Sequence, residues 1–275
     1  MSNNIIDIKG ITIGSDPEGF LVDGDNNFYP SEGLMGGSKY EPNVIKDGGY
    51  AIQEDNVMIE FNVPPTTLDN PKKLYADIQY VLDHIAKRVA DKNLSIKMVP
   101  SAYFDWKYLD TEQARTFGCD PDYNAYTLDA NQFTNRETNL RTAGGHVHIG
   151  YNEPEASKTL DIVRLLDLFL GVPSIILDKD TERRKMYGKA GCFRVTSFGL
   201  EYRVLSNFWT TSEESINWLF KGITQALEAY NKGFTIAPDS DLAKTIVKCI
   251  NEQDETLAYQ LCEEYNIVLE LETVA

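Results

Sequence analysis

The stretch Gly144-Gly145-His146-Val147-His148-Ile149-Gly150 decides the expected fold. Its β-branched residues, bounded by glycines, predict a strand. Side chains alternate along a strand, so both histidines project from one face while Val147 and Ile149 pack on the other. Two histidines on a half-buried strand can simply be hydrogen-bonded to their neighbours, but the flanking glycines allow a ligand to approach closely. The stretch therefore predicts a chemical face opposite a core face.

Three other short runs alternate in the same way. They place on one face of their strands Asp16 and Glu18, then Glu60 and Asn62, and finally Glu201 and Arg203. Pro17 lies between the first two carboxylates and cannot donate to a ladder, so its strand should be an edge or carry a bulge. We expect these strands to join the histidine strand in one sheet and to aim their polar faces into a single metal- and nucleotide-binding cleft.

The composition bounds the class of protein. The chain has 275 residues, of which 42% are hydrophobic, and this can supply a substantial core. Its formal net charge of -16 argues against a broad surface for nucleic acid or an anionic membrane, because phosphate binding needs clustered Lys and Arg. The most apolar stretch, from Ile162 to Leu177, is interrupted by charged residues and a proline, so no membrane span is predicted.

The cysteines and the N-terminus favour a cytoplasmic protein. The four cysteines form no C-x-x-C pair and are spread along the chain at Cys119, Cys192, Cys249 and Cys262. This spacing suggests neither a zinc site nor a disulfide framework, and reduced thiols fit the cytoplasm. The first residues show no basic region followed by an apolar core, so no secretion signal is predicted.

Amphipathic spacing predicts several helices between and after the strands. The predicted helices are 71–91, 155–170, 174–181, 213–231, 241–251 and 255–265, with a further strand at 94–103. Residues 31–49 are rich in glycine and should form a loop that covers the site, and Pro64-Pro65 should end the strand that carries Glu60. Because no linker or repeat divides the sequence, residues 1–275 are expected to form one α+β domain.

Carboxylates that share one cleft need a counter-charge. Asp16, Glu18, Glu60 and Glu201 would repel one another if their strands aimed them inward. A divalent cation removes this repulsion, and hard oxygen ligands with an occasional imidazole suit Mg²⁺ or Mn²⁺. The alternative is that each carboxylate lies on the solvent face of an amphipathic strand, as single acidic residues commonly do.

One basic, glycine-containing segment stands out in this acidic chain. It runs from Arg183 to Gly191 and is followed by Arg194. Glycines around Lys189 would let backbone N–H groups and an ammonium meet phosphate oxygens, although most charge runs are ordinary solvated patches. Arg203 shares a face with Glu201, so it could clamp a substrate carboxylate or phosphoryl group, or form a structural pair with Glu201.

Taken in order, these motifs resemble a known family. Gly-Gly-His-Val-His, Glu201-Tyr202-Arg203 and Asp16-Pro17-Glu18 are each similar to a strand of glutamine synthetase. Together with the runs at 54–62, 118–122 and 199–209, they resemble more closely the phage-type carboxylate–amine ligase (amidoligase) family of the glutamine synthetase and glutamate–cysteine ligase superfamily. The likeness covers residues 14–209, which is most of the chain.

The resemblance implies a fold and a role for each motif residue. The fold would be a glutamine synthetase-like catalytic domain, with a curved, largely antiparallel sheet and helices packed on its outer face. The implied metal ligands are Asp16, Glu18, Glu60, His146 and Glu201. The implied nucleotide contacts are His148, Lys189, Arg184 and Arg194. Asn62 and Arg203 would face the substrate, and Arg194 and Arg203 would stabilise charge during catalysis.

The expected activity is amide formation through an acyl phosphate, with ATP and Mg²⁺ or Mn²⁺. The partners would be small-molecule or peptide carboxylates and amines. One alternative is a phosphotransferase of the guanidino-kinase type, and another is a non-catalytic binding protein with a degenerate ligase fold. Release of free phosphate in step with amide distinguishes the ligase from the kinase. The binding protein would show no thermal shift with nucleotide or Mg²⁺.

Overall fold

An antiparallel sheet forms the body of the computed structural model, which describes residues 5–115, 122–131, 138–152 and 154–269. Its strands are β1 (Thr12–Ser15), β2 (Glu18–Asp23), β3 (Phe28–Tyr29), β4 (Asn43–Lys46), β5 (Tyr50–Asp55), β6 (Met58–Thr67), β7 (Leu94–Lys97), β9 (Tyr123–Asn124), β11 (Val147–Gly150), β12 (Cys192–Thr196) and β13 (Gly199–Tyr202). Their order is β3-β2-β6-β1-β11-β13-β12-β9, with β7 on β2 and β5 between β4 and β6. Two further strands, β8 (Ser101–Tyr103) and β10 (Leu140–Thr142), pair separately.

The histidine strand β11 lies between β1 and β13. In this register His148 lies opposite Gly14 on one side and opposite Glu201 on the other. On the far side of β13, Glu201 lies opposite Arg194 of β12. The pairing therefore brings polar residues from distant parts of the chain side by side.

The first strand is broken at Asp16-Pro17. On either side of the break, β1 and β2 both pair with β6, so that Glu18 of β2 lies opposite Glu60. Pro17 has no N–H to donate, but its carbonyl accepts a 3.1 Å hydrogen bond from the Phe61 N–H. The predicted irregularity at Pro17 is present, yet the strand is central, because β1 also pairs with β11.

Helices cover one face of the sheet. They are α1 (Pro71–Val89), α3 (Ala156–Leu166), α4 (Val172–Leu177), α5 (Glu213–Asn231), α6 (Asp241–Glu252) and α7 (Glu255–Glu264), and a four-residue helix, α2 (Glu112–Arg115), lies in a smaller core with β8. Val147, Ile149 and Leu200 are fully buried in one core with the helices. The predicted α+β fold, an antiparallel sheet with helices on one face, is confirmed. Within the described residues, no helix is long and apolar enough to cross a membrane.

Some strand boundaries differ from the prediction. β6 continues through Pro64-Pro65, because its register against β1 shifts between Val63 and Thr66 and the two prolines lie in that irregularity. The predicted loop at 31–49 contains β4, whose four residues are too few to show a period. The predicted strand at 94–103 is two strands, β7 and β8, in different sheets.

The apolar segment after β11 stays helical past Gly171, where a stop was predicted. Asp167–Gly171 forms one π-helical turn, in which the Val172 N–H donates to the Asp167 carbonyl. Pro173 follows this turn, within the first two residues of α4. The helix α4 ends at Leu177, whereas the sequence predicted an end at Thr181.

Three of the cysteines, Cys192, Cys249 and Cys262, are buried free thiols. The fourth, Cys119, lies outside the described residues, as does the rest of the motif at 118–121.

Candidate active site

A carboxylate–imidazole cluster lies on the open face of the sheet. Asp16, His146 and Glu201 each offer one ligand atom, and these atoms lie within 4.8 Å of one another. His146 Nδ1 is 3.5 Å from Asp16 Oδ1 and 3.3 Å from Glu201 Oε1. His148 Nε2 lies 3.3 Å from the same Asp16 oxygen. We call Asp16, His146 and Glu201 the imidazole cluster.

A second cluster consists of three carboxylates. Glu18, Asp55 and Glu60 offer ligand atoms that again lie within 4.8 Å of one another. Glu18 Oε2 accepts a 2.5 Å hydrogen bond from the N–H of Gly144, at the start of the histidine motif. We call this group the carboxylate cluster. The predicted ligands thus converge, but they divide into two groups, and Asp55 joins them as a residue that the sequence reading missed.

In the carboxylate cluster, burial and mutual repulsion outweigh the nearby cations and hydrogen bonds. Burial, and then the charge of Asp55, raises the pKa of Glu18 to about 8. Burial, followed by the charges of Asp16 and Glu18, raises the pKa of Glu60 well above its ordinary value. Burial also raises the pKa of Asp55. Three acidic groups that resist ionisation together are the arrangement that a bound cation would relieve.

The imidazole cluster behaves differently. Burial opposes the ionisation of Asp16, but the charge of His148 and the closeness of both imidazoles outweigh it and hold the pKa of Asp16 below its ordinary value. Burial, followed by the charge of Arg203, lowers the pKa of His146. For His148, Asp16 more than offsets the effect of burial and raises its pKa. His146 is therefore held neutral, the form in which an imidazole binds metal.

The donor sets fit divalent cations. Among the described residues, the buried atoms Asp16 Oδ1 and His146 Nε2 have no hydrogen-bond partner, although buried polar atoms are normally satisfied. Carboxylate ligands suit Mg²⁺ or Mn²⁺, and an imidazole can join them. Which ion binds stays a prediction.

Two arginines bind the Glu201 carboxylate. Arg194 donates to Glu201 Oε2 at 3.1 Å, and Arg203 donates to Glu201 Oε1. Arg203 Nε also donates to the Tyr187 hydroxyl at 2.6 Å and lies 3.3 Å from Asp122 Oδ2. Tyr187 in turn donates to Asp122 at 2.9 Å. The sequence reading missed Tyr187 and Asp122, although both lie within motifs that it had marked.

The glycines before His146 are required by close packing. A Cβ on Gly144 would lie 2.5 Å from His146 Nε2, and a Cβ on Gly145 would lie 2.4 Å from the Ser206 carbonyl oxygen. The His146 imidazole and the Ser206 carbonyl therefore leave no space for a side chain at Gly144 and Gly145.

The sequence of this region matches a known family. Residues 137–231 match the model of the Phage phiEco32-like COOH.NH2 ligase-type 2 family. This segment of the chain is therefore similar to that carboxylate–amine ligase family. The family joins carboxylates to amines, and the matched segment contains His146, Arg194, Glu201 and Arg203. No protein of curated function matches the chain in sequence.

Several solved structures are similar to the chain. Plasmodium falciparum glutamine synthetase is 10% identical, with a TM-score of 0.45 over 83% of this chain and 52% of that one. A bifunctional glutathione synthetase from Pasteurella multocida is 12% identical, with a TM-score of 0.45 over 94% and 49%. Ligand-free GmaS is 13% identical, with a TM-score of 0.43 over 92% and 65%. The chain described here spans about half to two thirds of the length of these proteins.

Two basic residues predicted to meet phosphates point to the helical side of the sheet. Arg184 is buried, and its guanidinium donates to the Gly188 carbonyl at 3.0 Å and to the Ser174 hydroxyl at 2.7 Å. Lys189 Nζ donates to the Asn251 carbonyl in α6 at 3.2 Å. The nucleotide roles of Arg184 and Lys189 stay predictions, because a run of charges along the sequence does not reveal the side of the sheet to which each residue turns.

The remaining predicted residues have mixed surroundings. His148 lies beside Asp16 and packs its ring 5.8 Å from that of Phe198. Asn62 is half-buried on β6, two residues beyond Glu60 and on the same face. Arg183, which had no assigned role, is buried near Glu18, and burial lowers its pKa to about 10. The nucleotide role of His148 and the substrate role of Asn62 stay predictions.

Proposed function

We propose that this chain is an ATP- and Mg²⁺-dependent carboxylate–amine ligase that acts through an acyl phosphate. The observation that carries the proposal is the division of the polar face into two adjacent ligand groups with two arginines beside them. Two-cation sites of this kind serve phosphoryl transfer, where attacking and leaving oxygens both carry negative charge. The similarity of residues 137–231 to a carboxylate–amine ligase family suggests the reaction class, and residues 1–275 are taken as one ligase domain.

The two clusters would hold the cations. Asp16, His146 and Glu201 would bind one ion, and Glu18, Asp55 and Glu60 the other. Bound there, Mg²⁺ would neutralise the crowded carboxylates and hold phosphate oxygens of ATP. Neutral His146 needs no deprotonation before it binds, whereas Glu18 and Glu60 must release protons first.

Arg203 and Arg194 would stabilise the negative charge that develops on the transferred phosphoryl group. Tyr187 and Asp122 hold the Arg203 guanidinium independently of Glu201. Arg203 therefore keeps its place when the Glu201 carboxylate turns to a cation, and a donor fixed in advance is what transition-state stabilisation requires.

The proposed reaction has two steps. A substrate carboxylate oxygen attacks the γ-phosphorus of ATP, which gives an acyl phosphate and ADP. An amine then attacks the acyl carbon and expels phosphate, which gives the amide. Small-molecule or peptide substrates in the cytoplasm, where ATP is available, fit this proposal.

Product analysis tests the reaction. The full chain is incubated with Mg-ATP and a pool of carboxylates and amines, and ADP, free phosphate and new masses are measured. A ligase releases phosphate in step with a new amide mass. A phosphorylated product without free phosphate would contradict the ligase proposal and support a kinase. Absence of ADP with every pool would contradict the proposal that the chain is an enzyme.

Replacement of one ligand from each cluster tests the site. Glu201→Ala should abolish ATP turnover, and full activity in that variant would refute the assignment. Binding of Mn²⁺, counted by electron paramagnetic resonance, should give two ions for the wild type and one each for Glu201→Gln and Asp55→Asn. Glu54→Gln is the matched control for Asp55, because the Glu54 carboxylate binds the N–H groups of loop residues Gly33, Met35 and Gly36 instead.

A further inference from the structure

A buried pair, Tyr202 and Asp167, lies directly behind the candidate site. Tyr202 stands between Glu201 and Arg203 in the chain, so its side chain leaves β13 on the opposite, helical face. Its hydroxyl donates a 2.7 Å hydrogen bond to Asp167 Oδ1. Neither residue has any exposed surface. The pair thus joins the strand of the site to the helical layer.

The same carboxylate also holds the neighbouring strand. Asp167 Oδ2 accepts a 2.7 Å hydrogen bond from the N–H of Gly191, immediately before β12. β12 carries Arg194 opposite Glu201. One buried carboxylate consequently fixes two adjacent strands whose open faces carry a predicted metal ligand and both arginines.

The π-helical turn makes room for this arrangement. Asp167 begins the turn and Gly171 ends it. A Cβ on Gly171 would lie 2.9 Å from the Tyr202 hydroxyl oxygen and 2.7 Å from Ile250 Cδ1, closer than packed atoms approach. Such turns are rare and are frequently found at functional sites. The π-helical turn and Gly171 together leave space for the Tyr202 hydroxyl.

We propose that Asp167 and Tyr202 are positioning residues that set Glu201 and Arg203 in place from behind the sheet. A buried carboxylate destabilises a core relative to apolar residues of similar volume, so the pair is expected to fix a geometry rather than to add stability. The inference rests on the proposed function, because it takes Glu201 as a metal ligand.

A pair of tyrosine-to-phenylalanine variants tests the role. Tyr202→Phe removes the bond to Asp167. Tyr151→Phe is the matched control, because the Tyr151 hydroxyl also forms a buried 2.6 Å hydrogen bond, to the Thr159 hydroxyl of α3. Mn²⁺ binding to the full chain is measured by electron paramagnetic resonance, and thermal unfolding is followed in parallel.

Tyr202→Phe should weaken Mn²⁺ binding about tenfold, the lower end of the range for groups that orient metal ligands. Tyr151→Phe should leave Mn²⁺ affinity unchanged, although each variant loses one buried hydrogen bond and should be destabilised to a similar degree. Asp167→Asn should also weaken binding. Because the two residues act as one unit, the double variant should lose less affinity than the sum of the single losses.

The outcomes separate this role from the proposed function. Wild-type Mn²⁺ affinity in Tyr202→Phe, equal losses in both phenylalanine variants, or additive losses in the double variant would overturn the positioning role and leave the ligase proposal intact. A wild-type chain that binds no Mn²⁺ would overturn both. If Tyr202→Phe does not fold, Asp167→Asn decides the question against the same control.

Discussion

The two faces of β13 show how one strand serves two purposes. Glu201 and Arg203 project to the open face, and Leu200 and Tyr202 project to the helical face, yet all four are buried. Burial therefore does not separate site from core. The two faces differ in the partners of their side chains. On the open face charged side chains bind other charged side chains, whereas on the helical face the Tyr202 hydroxyl binds a carboxylate in a helix.

Arg203 and Arg184 show this contrast in one residue type. Both guanidinium groups are almost completely buried. Arg203 donates to the side chains of Glu201 and Tyr187, which belong to the candidate site. Arg184 donates to a carbonyl and to a helix hydroxyl, which are parts of the fixed framework. Replacement of arginine with lysine should therefore lower activity on the open face and stability on the helical face.

The largest expected effect comes from replacing each arginine with lysine. Arg203→Lys should lower ATP turnover by about 10²- to 10³-fold, because an ammonium cannot reproduce the fixed fork that faces developing charge. Arg184→Lys should leave turnover unchanged and lower the free energy of unfolding by about 1–3 kcal/mol, the cost of unpaired buried acceptors. Initial rates and urea unfolding measure the two quantities. Loss of turnover in both variants, with folds intact, would erase the distinction between the faces.

Much of this division could be predicted from the sequence. Alternation in a strand assigns faces, so the positions of His146 and His148, and of Glu201 and Arg203, followed directly from their spacing. Convergence of Asp16 and Glu60 on the same cleft needed only the assumption of one sheet. The helices α1 and α5 began and ended where caps and apolar spacing placed them.

Other features depended on long-range packing and could not be read from local patterns. Whether Arg184 and Lys189 face the cleft depends on the path of an irregular segment with no period. Asp55 ends β5 at a tight turn, where alternation gives no face. Asp167 was indistinguishable from any polar residue of an amphipathic helix until the π-helical turn placed it against Tyr202.

A smaller effect is expected from alanine at Gly144, next to the histidine strand. Gly144→Ala would push a Cβ to 2.5 Å from His146 Nε2, so we expect a loss of about 1–3 kcal/mol in unfolding free energy and weaker Mn²⁺ binding. Gly14→Ala is the control on the other side, because its nearest neighbour would be His148 Cβ at an ordinary 3.6 Å. Urea unfolding and Mn²⁺ titration compare the two. If Gly144→Ala changes neither the unfolding free energy nor Mn²⁺ binding, His146 does not need its present position.

The last expected effect is a pH dependence of stability that arises on the helical face. Burial outweighs the hydrogen bonds from Tyr202 and Gly191 and raises the pKa of Asp167 from 3.8 to about 7. A carboxyl whose pKa is raised on folding stabilises the fold below its unfolded pKa, and this stabilisation is lost as the pH rises to the folded value.

Between about pH 4 and pH 7, the wild type should therefore lose stability relative to Asp167→Asn, with a slope of at most about 1.4 kcal/mol per pH unit. Urea unfolding of both proteins without metal, at half-unit steps, gives the difference directly, and common titrations cancel in it. A difference that does not change with pH would mean that Asp167 keeps an ordinary pKa. A difference of opposite sign would mean that Tyr202 and Gly191 stabilise the carboxylate more than burial opposes it, so that the pair would add stability as well as placement.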